Sequence, residues 1–344
     1  MIDLLKTLNA WLAQGAPVAA ATIVTHEGST PRSAGSKMIV RAGGDMHGAM
    51  YGTVGGGLVE AKVLEAAARV LTDGVPGVMD FDLTGELAAG ADMVCGGKLR
   101  VYLERIDPGP QQALFAELSR RLEAGERCLM AAPMDGGPRT LVPWHGPALG
   151  TELPGSLIES ARAAGRDLRA PVVFAVMENR WLLEPWSAPS PMYIAGAGHV
   201  SRPTAQVAAL AGFRVTVMDD RPEFANAERF PKAHEILTRD LGHALDGVPV
   251  GPETSVVIVT RGHVHDADVL AQALRTPAGY IGMIGSRRKR DSVYQRLRAQ
   301  GFGDQDFNRV HCPVGLDIGA ETPEEIAVSI VAELIQARAK RGGA

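Results

Sequence analysis

The stretch Met192-Tyr-Ile-Ala-Gly196-Ala-Gly198-His199-Val200-Ser201 decides the fold. Apolar residues run directly into two glycines, the pattern of a strand that turns sharply into a helix. Gly196 permits the tight turn, and Gly198 lets a phosphate approach the helix N-terminus. The third-glycine position of such a turn holds Ser201, small but not identical. Val215-Thr-Val-Met-Asp219 follows and puts Asp219 at a strand end, where an acid bonds ribose hydroxyls. Outward from this unit, Met192–Ala195, Val215–Met218, Val256–Thr260 and Tyr280–Ile284 read as short apolar strands, mostly separated by helical patterns. That rhythm predicts a Rossmann-like, doubly wound parallel sheet covered on both faces. Thr322-Pro-Glu-Glu325 is a capping box with Pro at the first helical position, opening a C-terminal helix striped by Ala327, Val331, Leu334 and Ile335. The turn glycines have a plainer reading too, as packing devices that bind nothing.

Towards the N-terminus the pattern changes at Glu184-Pro-Trp-Ser-Ala-Pro-Ser-Pro191, read as a linker. It divides a mixed α+β domain over 1–186 from the Rossmann-like domain over 187–344, making the whole chain α/β. The first domain is expected to hold helices over Ile2–Gln14 and Gly57–Leu71. Its expected strands are Val18–Thr25, Met38–Arg41 (entering a Gly43-Gly44-Asp45 turn), Gly77–Asp82, Leu99–Ile106 and Val172–Met177, the last paired with Trp181–Leu183. With 344 residues, 46% hydrophobic and 22% charged, the chain can build real cores. A net charge of −4 and 5% aromatic residues argue against nucleic-acid binding. No apolar run approaches the ~18 residues that span a bilayer, so membrane insertion is not expected. Three scattered cysteines (Cys95, Cys128, Cys312) offer no disulfide framework, and a reducing cytoplasm is the expected location.

Several segments carry candidate chemistry. Ser29, Thr30, Arg32 and Lys37 leave the first strand with hydroxyls and cations. Gly52, Gly55, Gly56 and Gly57, with Glu60, lead into a helix, and consecutive glycines there present backbone N–H groups suited to an anion. No Gly-Lys-Ser/Thr closes this loop, so it is not an ATP-hydrolysing P-loop. Cys95-Gly96-Gly97 puts a thiol on open backbone, although a free cysteine is more commonly a small buried hydrophobe. In the second domain Gly285-Ser286-Arg287 starts a helix whose first turn is crowded with cations, against the helix dipole. This is either an anion site or a solvated basic face. Arg261-Gly-His263-Val-His265-Asp266 sits after a strand, at the edge where ligands bind in such sheets. A nicotinamide-dependent oxidoreductase would need His263 or His265 as its general acid or base.

Taken together, these motifs resemble the XdhC/CoxI family of xanthine dehydrogenase and CO dehydrogenase accessory factors. The resemblance rests on Gly28-Ser-Thr-Pro-Arg32, Gly52-Thr-Val-Gly-Gly-Gly57 with Glu60, and Cys95-Gly-Gly97. It continues through Gly196-Ala-Gly-His-Val200, Asp219-Asp-Arg221 with Phe230-Pro231, Thr260-Arg-Gly-His263, Gly282-Met-Ile-Gly-Ser-Arg287, Gly315-Leu-Asp-Ile-Gly319 and Thr322-Pro-Glu-Glu-Ile326. What it implies is a chaperone rather than an enzyme. Such a protein binds and protects molybdenum cofactor (molybdopterin or its cytidine dinucleotide form), supports its sulfuration with a cysteine desulfurase, and inserts it into an apo molybdenum hydroxylase. It implies a homodimer, and it implies cofactor contacts from Arg32 and the glycine loop, with Cys95 near the metal or its sulfur. His199, Val200, Arg221 and His263 join the candidate residues on the same ground. NAD(P) or another nucleotide is the expected occupant of the Rossmann crevice if a second ligand binds.

Overall fold

The computed structural model describes residues 1–42, 50–84, 96–153, 155–165, 168–176 and 179–341. The chain divides into two compact units, Met1–Ala188 and Pro189–Ala344.

The first unit begins with helix α1 (Ile2–Ala13), which buries Leu4, Leu5, Leu8, Trp11 and Leu12, one face at helical spacing. Gly15 then takes a positive φ. Strands β1 (Val18–Gly28), β2 (Lys37–Arg41) and β3 (Met50–Gly52), helix α2 (Gly57–Asp73), and strands β4 (Gly77–Asp82) and β5 (Gly97–Ile106) follow. They form an antiparallel sheet of order β3-β2-β1-β5-β4. The chain then repeats itself. Helix α3 (Pro110–Glu123), strands β6 (Arg127–Pro133), β7 (Thr140–Pro143) and β8 (Leu149–Gly150), helix α4 (Gly155–Gly165), and strands β9 (Val172–Val176) and β10 (Asn179–Ser187) come in the same order. Their sheet, β8-β7-β6-β10-β9, has the topology of the first.

Register makes the repeat exact at particular residues. Glu104 pairs with Ala20 on β1, and Glu184 pairs with Met130 at the corresponding place on β6. Lys37 starts β2, and Arg139 immediately precedes β7. A Cβ on Gly52 would strike the Lys37 carbonyl and the Leu4 side chain, and one on Gly150 would strike the Arg139 carbonyl and the Leu114 side chain. The two halves then exchange charges. Lys37 of the first pairs with Glu184 of the second, and Arg139 of the second pairs with Glu104 of the first. α1 and α3 contribute their apolar faces to one core cluster, with Trp186, Met130 and Ile39.

The Glu184–Ser187 stretch is not a linker, as the prolines suggested, but the last part of β10. Beyond Leu183, β10 keeps β6 on one side and loses β9 on the other, so Pro185 sits where an edge N–H is dispensable. The Gly43-Gly44-Asp45 turn and Met177 lie outside the described residues.

The second unit holds strands β11 (Pro191–Ala195), β12 (Arg214–Asp219), β13 (Glu235–Thr238), β14 (Ser255–Ile258), β15 (Tyr280–Met283) and β16 (Val310–His311). All are parallel, in the order β13-β12-β11-β14-β15-β16. Helices α5 (Ser201–Leu210), α6 (His263–Leu274), α7 (Arg287–Arg298), the short α8 (Asp304–Phe307) and α9 (Pro323–Arg341) complete it. Alternation along the central strands sends side chains to two separate cores. Tyr193, Ala195, Val256 and Ile258 pack with α6 and α7, while Met192, Ile194 and Val257 pack with α5 and α9. Burial on both faces explains why these strands read as continuous apolar runs. The fold is the Rossmann-like sheet that the glycine turn predicts, with β11 at the point where the strand order reverses.

Candidate functional site

In the first unit, three loops separated in sequence meet at one end of the first sheet. Gly28 pairs with Gly97 across β1 and β5. A Cβ on Gly97 would lie 2.6 Å from the Thr30 methyl and 2.8 Å from the Ser29 carbonyl, so only glycine lets these backbones touch. Pro31 in turn lies 3.5 Å from where a Gly55 Cβ would be. Gly55, Gly56 and Gly57 all have positive φ, and Gly56 caps α2 without any side-chain hydrogen bond. Thr53 Oγ1 accepts from the Gly55 N–H at 3.1 Å and fixes the entry to the turn. A Cβ on Gly56 or Gly96 would meet nothing within 4 Å, so this backbone faces open space. Arg32 is exposed, and its guanidinium has no partner among the described residues. Glu60, in the first turn of α2, buries Oε1 without a partner among the described residues.

The second half of the repeat shortens two of these three loops and has no glycine run in the third. Thr22 and Lys37 enclose residues 23–36, whereas Ala131 and Thr140 enclose only 132–139. The β4–β5 connection spans 83–96, the β9–β10 connection 177–178. Against a shared framework, chain length and open glycine backbone are concentrated in the first half.

Lys37 does not join the cluster. Its ammonium is buried between Thr22 Oγ1 (2.6 Å) and the Glu184 carboxylate, with the Trp186 ring 5.8 Å away. A cation spent on a buried carboxylate is not free for a ligand. Gly52 likewise serves backbone packing against Lys37. Cys95 lies outside the described residues. Cys128 is buried, and desolvation pushes its thiol up to about 11. Cys312 is half-buried and also raised by burial to about 11.

In the second unit the glycine turn packs as the spacing implied. A Cβ on Gly196, at φ +106°, would land on the Val259 carbonyl, while Gly198 faces open space. Ser201 is fully buried at the start of α5. Asp219 does reach the turn, but its carboxylate is already engaged. Oδ2 accepts from the Ala197 N–H at 2.7 Å, and both oxygens accept from the Arg221 guanidinium at 2.8 and 3.0 Å. Burial opposes its ionised form, yet the Arg221 and backbone bonds outweigh it and hold the carboxyl below its usual range. Here Asp219 works as a strut for the turn, a role that the ribose-acid spacing does not distinguish. Val200 precedes α5 beside His199, which lines a cleft described below.

Gly262 caps α6, and His263 opens that helix. The acids that follow in α6 are engaged elsewhere. Asp266 accepts from Thr260 Oγ1 at 2.7 Å and pairs with Lys289, and Asp268 pairs with Arg296 at 3.0 Å. Lys289 passes under Gly285, where a Cβ would lie 2.7 Å from its Cδ. Ser286 Oγ accepts from the Lys289 N–H at 3.3 Å and caps α7 as expected. This resolves part of the basic helix start, because Lys289 serves Asp266 and Arg290 serves Asp291. Arg287 and Arg288 stay exposed, without side-chain partners among the described residues.

Sequence reasoning missed Glu333. Its carboxylate accepts from Tyr280 Oη (2.6 Å) and the Gly315 N–H (2.6 Å) and bonds His311 Nδ1 (2.7 Å). These partners lie 18 to 53 positions away, beyond any local motif. Among the described residues no cluster of His, Cys, Asp or Glu could hold a metal, and no helix is long and apolar enough to cross a membrane.

Comparison with known proteins agrees with this layout. Residues 11–82 match the XdhC and CoxI family, and residues 192–334 match the XdhC Rossmann domain. The chain is 29% identical over 334 residues to a probable xanthine dehydrogenase subunit of Bacillus subtilis, covering 96% of both. It is also 29% identical over 328 residues to the Escherichia coli protein YqeB, of which it spans 44%. It is 22% identical over 320 residues to the E. coli molybdenum cofactor insertion chaperone PaoD, covering 92% of this chain and 82% of that protein. A crystal structure described as a xanthine dehydrogenase from Bacillus halodurans superposes with a TM-score of 0.80 at 27% identity, covering 99% of this chain and 96% of the other. The chain belongs to the XdhC and CoxI family.

Proposed function

We propose that this protein carries molybdenum cofactor to an apo molybdenum hydroxylase and holds it at the loop cluster of the first unit. The observation that carries the reading is the convergence of Ser29–Arg32, Gly55–Gly57 and Gly96–Gly97 in one half of a repeated framework, whose other half shortens the first and last of these loops and has no glycine run in the second. A helix N-terminus without a side-chain cap, open glycine backbone and an exposed arginine fit a phosphate-bearing pterin. In this reading Arg32 and the Gly55–Gly57 amides hold the phosphate. Cys95 supplies a soft thiolate near the metal or its sulfur. When bound, the cofactor brings the molybdenum and its sulfido chemistry; the chain itself binds and shields. Resemblance to a cofactor insertion chaperone supports the same role, and sulfuration by a cysteine desulfurase, a homodimer and a reducing compartment belong to this proposal.

An oxidoreductase built on the second unit has less support. The crevice acid is saturated by its own turn, and the acids that follow His263 and His265 serve Thr260, Lys289 and Arg296. The test is to co-express the chain with cofactor biosynthesis, denature it, and identify the released molecule. A fluorescent oxidised pterin supports the carrier, and a nicotinamide nucleotide with substrate-dependent turnover replaces it.

A further inference from the structure

A polar cleft lies wholly within the Rossmann unit, beside the start of α5 where the glycine turn ends. It measures about 400 Å³ and is lined by His199, Arg202, Pro203, Gln206, Arg229 and the start of α9 at Pro323 and Glu324. Two guanidiniums share it with one carboxylate, an excess of positive charge that favours an anion there. Arg229 is held in place. Its Nε donates to the Phe224 carbonyl at 3.1 Å, one Nη donates to the Ala197 carbonyl at 3.3 Å, and the guanidinium lies over the Phe224 ring at 5.0 Å. That leaves the other Nη without a partner among the described residues, on a side chain whose freedom is already spent. Arg202 is exposed and its guanidinium has no partner among the described residues. His199 and Gln206 add further hydrogen-bonding side chains.

We propose that this cleft binds a phosphoryl group, either free phosphate or a small phosphomonoester, between Arg202 and the preorganised Arg229. Fork-shaped guanidiniums match the phosphoryl oxygens bidentately, and the Arg229 bond to Ala197 ties the bound anion to the glycine turn. The proposal does not depend on the carrier reading, since its residues all belong to the second unit.

The test is isothermal titration of the full chain, at constant ionic strength, with inorganic phosphate and separately with glycerol 1-phosphate. We expect saturable one-to-one binding of at least one of them, and the tighter of the two identifies the source. Arg202→Gln should weaken binding about tenfold, the loss of one charge-assisted contact. Arg202→Lys should weaken it less. Lys340→Gln, which removes the same charge at the far end of α9, should leave it unchanged. Because Arg202 is exposed, an unaltered melting temperature will show that Arg202→Gln still folds. No saturable binding of either anion, or equal affinity in Arg202→Gln and wild type, would overturn the assignment.

Discussion

Replacing Lys37 by Met separates two roles that the sequence could not tell apart. In the structure the Lys37 side chain is only 7% exposed, and so is its partner Glu184. Methionine keeps most of the volume and deletes the charge, so Glu184 is left in the interior with its counter-ion gone. Breaking one side of a buried pair costs about 3–5 kcal/mol, because the remaining charge has lost its compensation. For a unit of this size each kcal/mol lowers the melting temperature by roughly 2–4 °C, so a drop of about 10 °C is expected. Differential scanning calorimetry of the full chain should show it in one transition, with the Rossmann unit unmoved. Removing Glu184 as well, in Lys37→Met/Glu184→Met, should recover most of the loss, since an apolar pair fills the same space. Arg139→Met should behave alike, through Glu104. A Lys37→Met protein that melts within about 2 °C of wild type, while losing affinity for an anion, would refute the buried-pair account.

Gly196→Ala should destabilise the Rossmann unit by about 2–3 kcal/mol in urea titration, from positive φ and collision with Val259; Gly198→Ala, facing open space, should change it little. Glu333 is held below its usual carboxyl range: burial opposes this, but bonds from His311, Tyr280 and Gly315 prevail. Its stabilisation is therefore full above the unfolded carboxyl value near ~4.3 and is lost as pH falls through the lower folded value. Glu333→Gln should cost about 1–2 kcal/mol at pH 7, and the gap from wild type should close towards pH 3; a gap constant with pH would count against this network. Cys128 and Cys312, raised to about 11, should alkylate roughly a hundredfold more slowly than an exposed thiol at pH 7.5, read by peptide mass spectrometry.

The Rossmann unit was legible because its evidence is local. A glycine turn, a strand-end acid and apolar runs buried on both faces each declare themselves within a few residues. Even there, β13 and β16 escaped notice: Glu235–Thr238 is partly exposed, and Val310–His311 is two residues long. The repeat in the first unit was illegible for the opposite reason. Its copies share pairing and register while keeping little residue identity, so Lys37 answers to Arg139 and Gly55 to Leu153. The matching sheet topology reveals it, and the crossed ion pairs and the close contacts of Gly52 and Gly150 fix its register. The candidate site divides in the same way. The glycines could be read, because positive φ and open backbone are properties of the residue. Lys37 could not, because whether a lysine meets a ligand or a buried glutamate depends on a partner 147 positions away. Asp219 shows the limit of a motif: its spacing located it correctly, but Arg221, two residues on, decides what its carboxylate does.

Whether the loop cluster of the first unit holds molybdenum cofactor is decided by anaerobic incubation with isolated cofactor, gel filtration, and assay of the protein peak for molybdenum and oxidised pterin. Near-stoichiometric co-elution is expected for the wild type, with clear loss in Cys95→Ala and in Arg32→Gln, both with unchanged melting temperature. Co-elution no better than that of an unrelated Rossmann protein, or full retention in both variants, would contradict it.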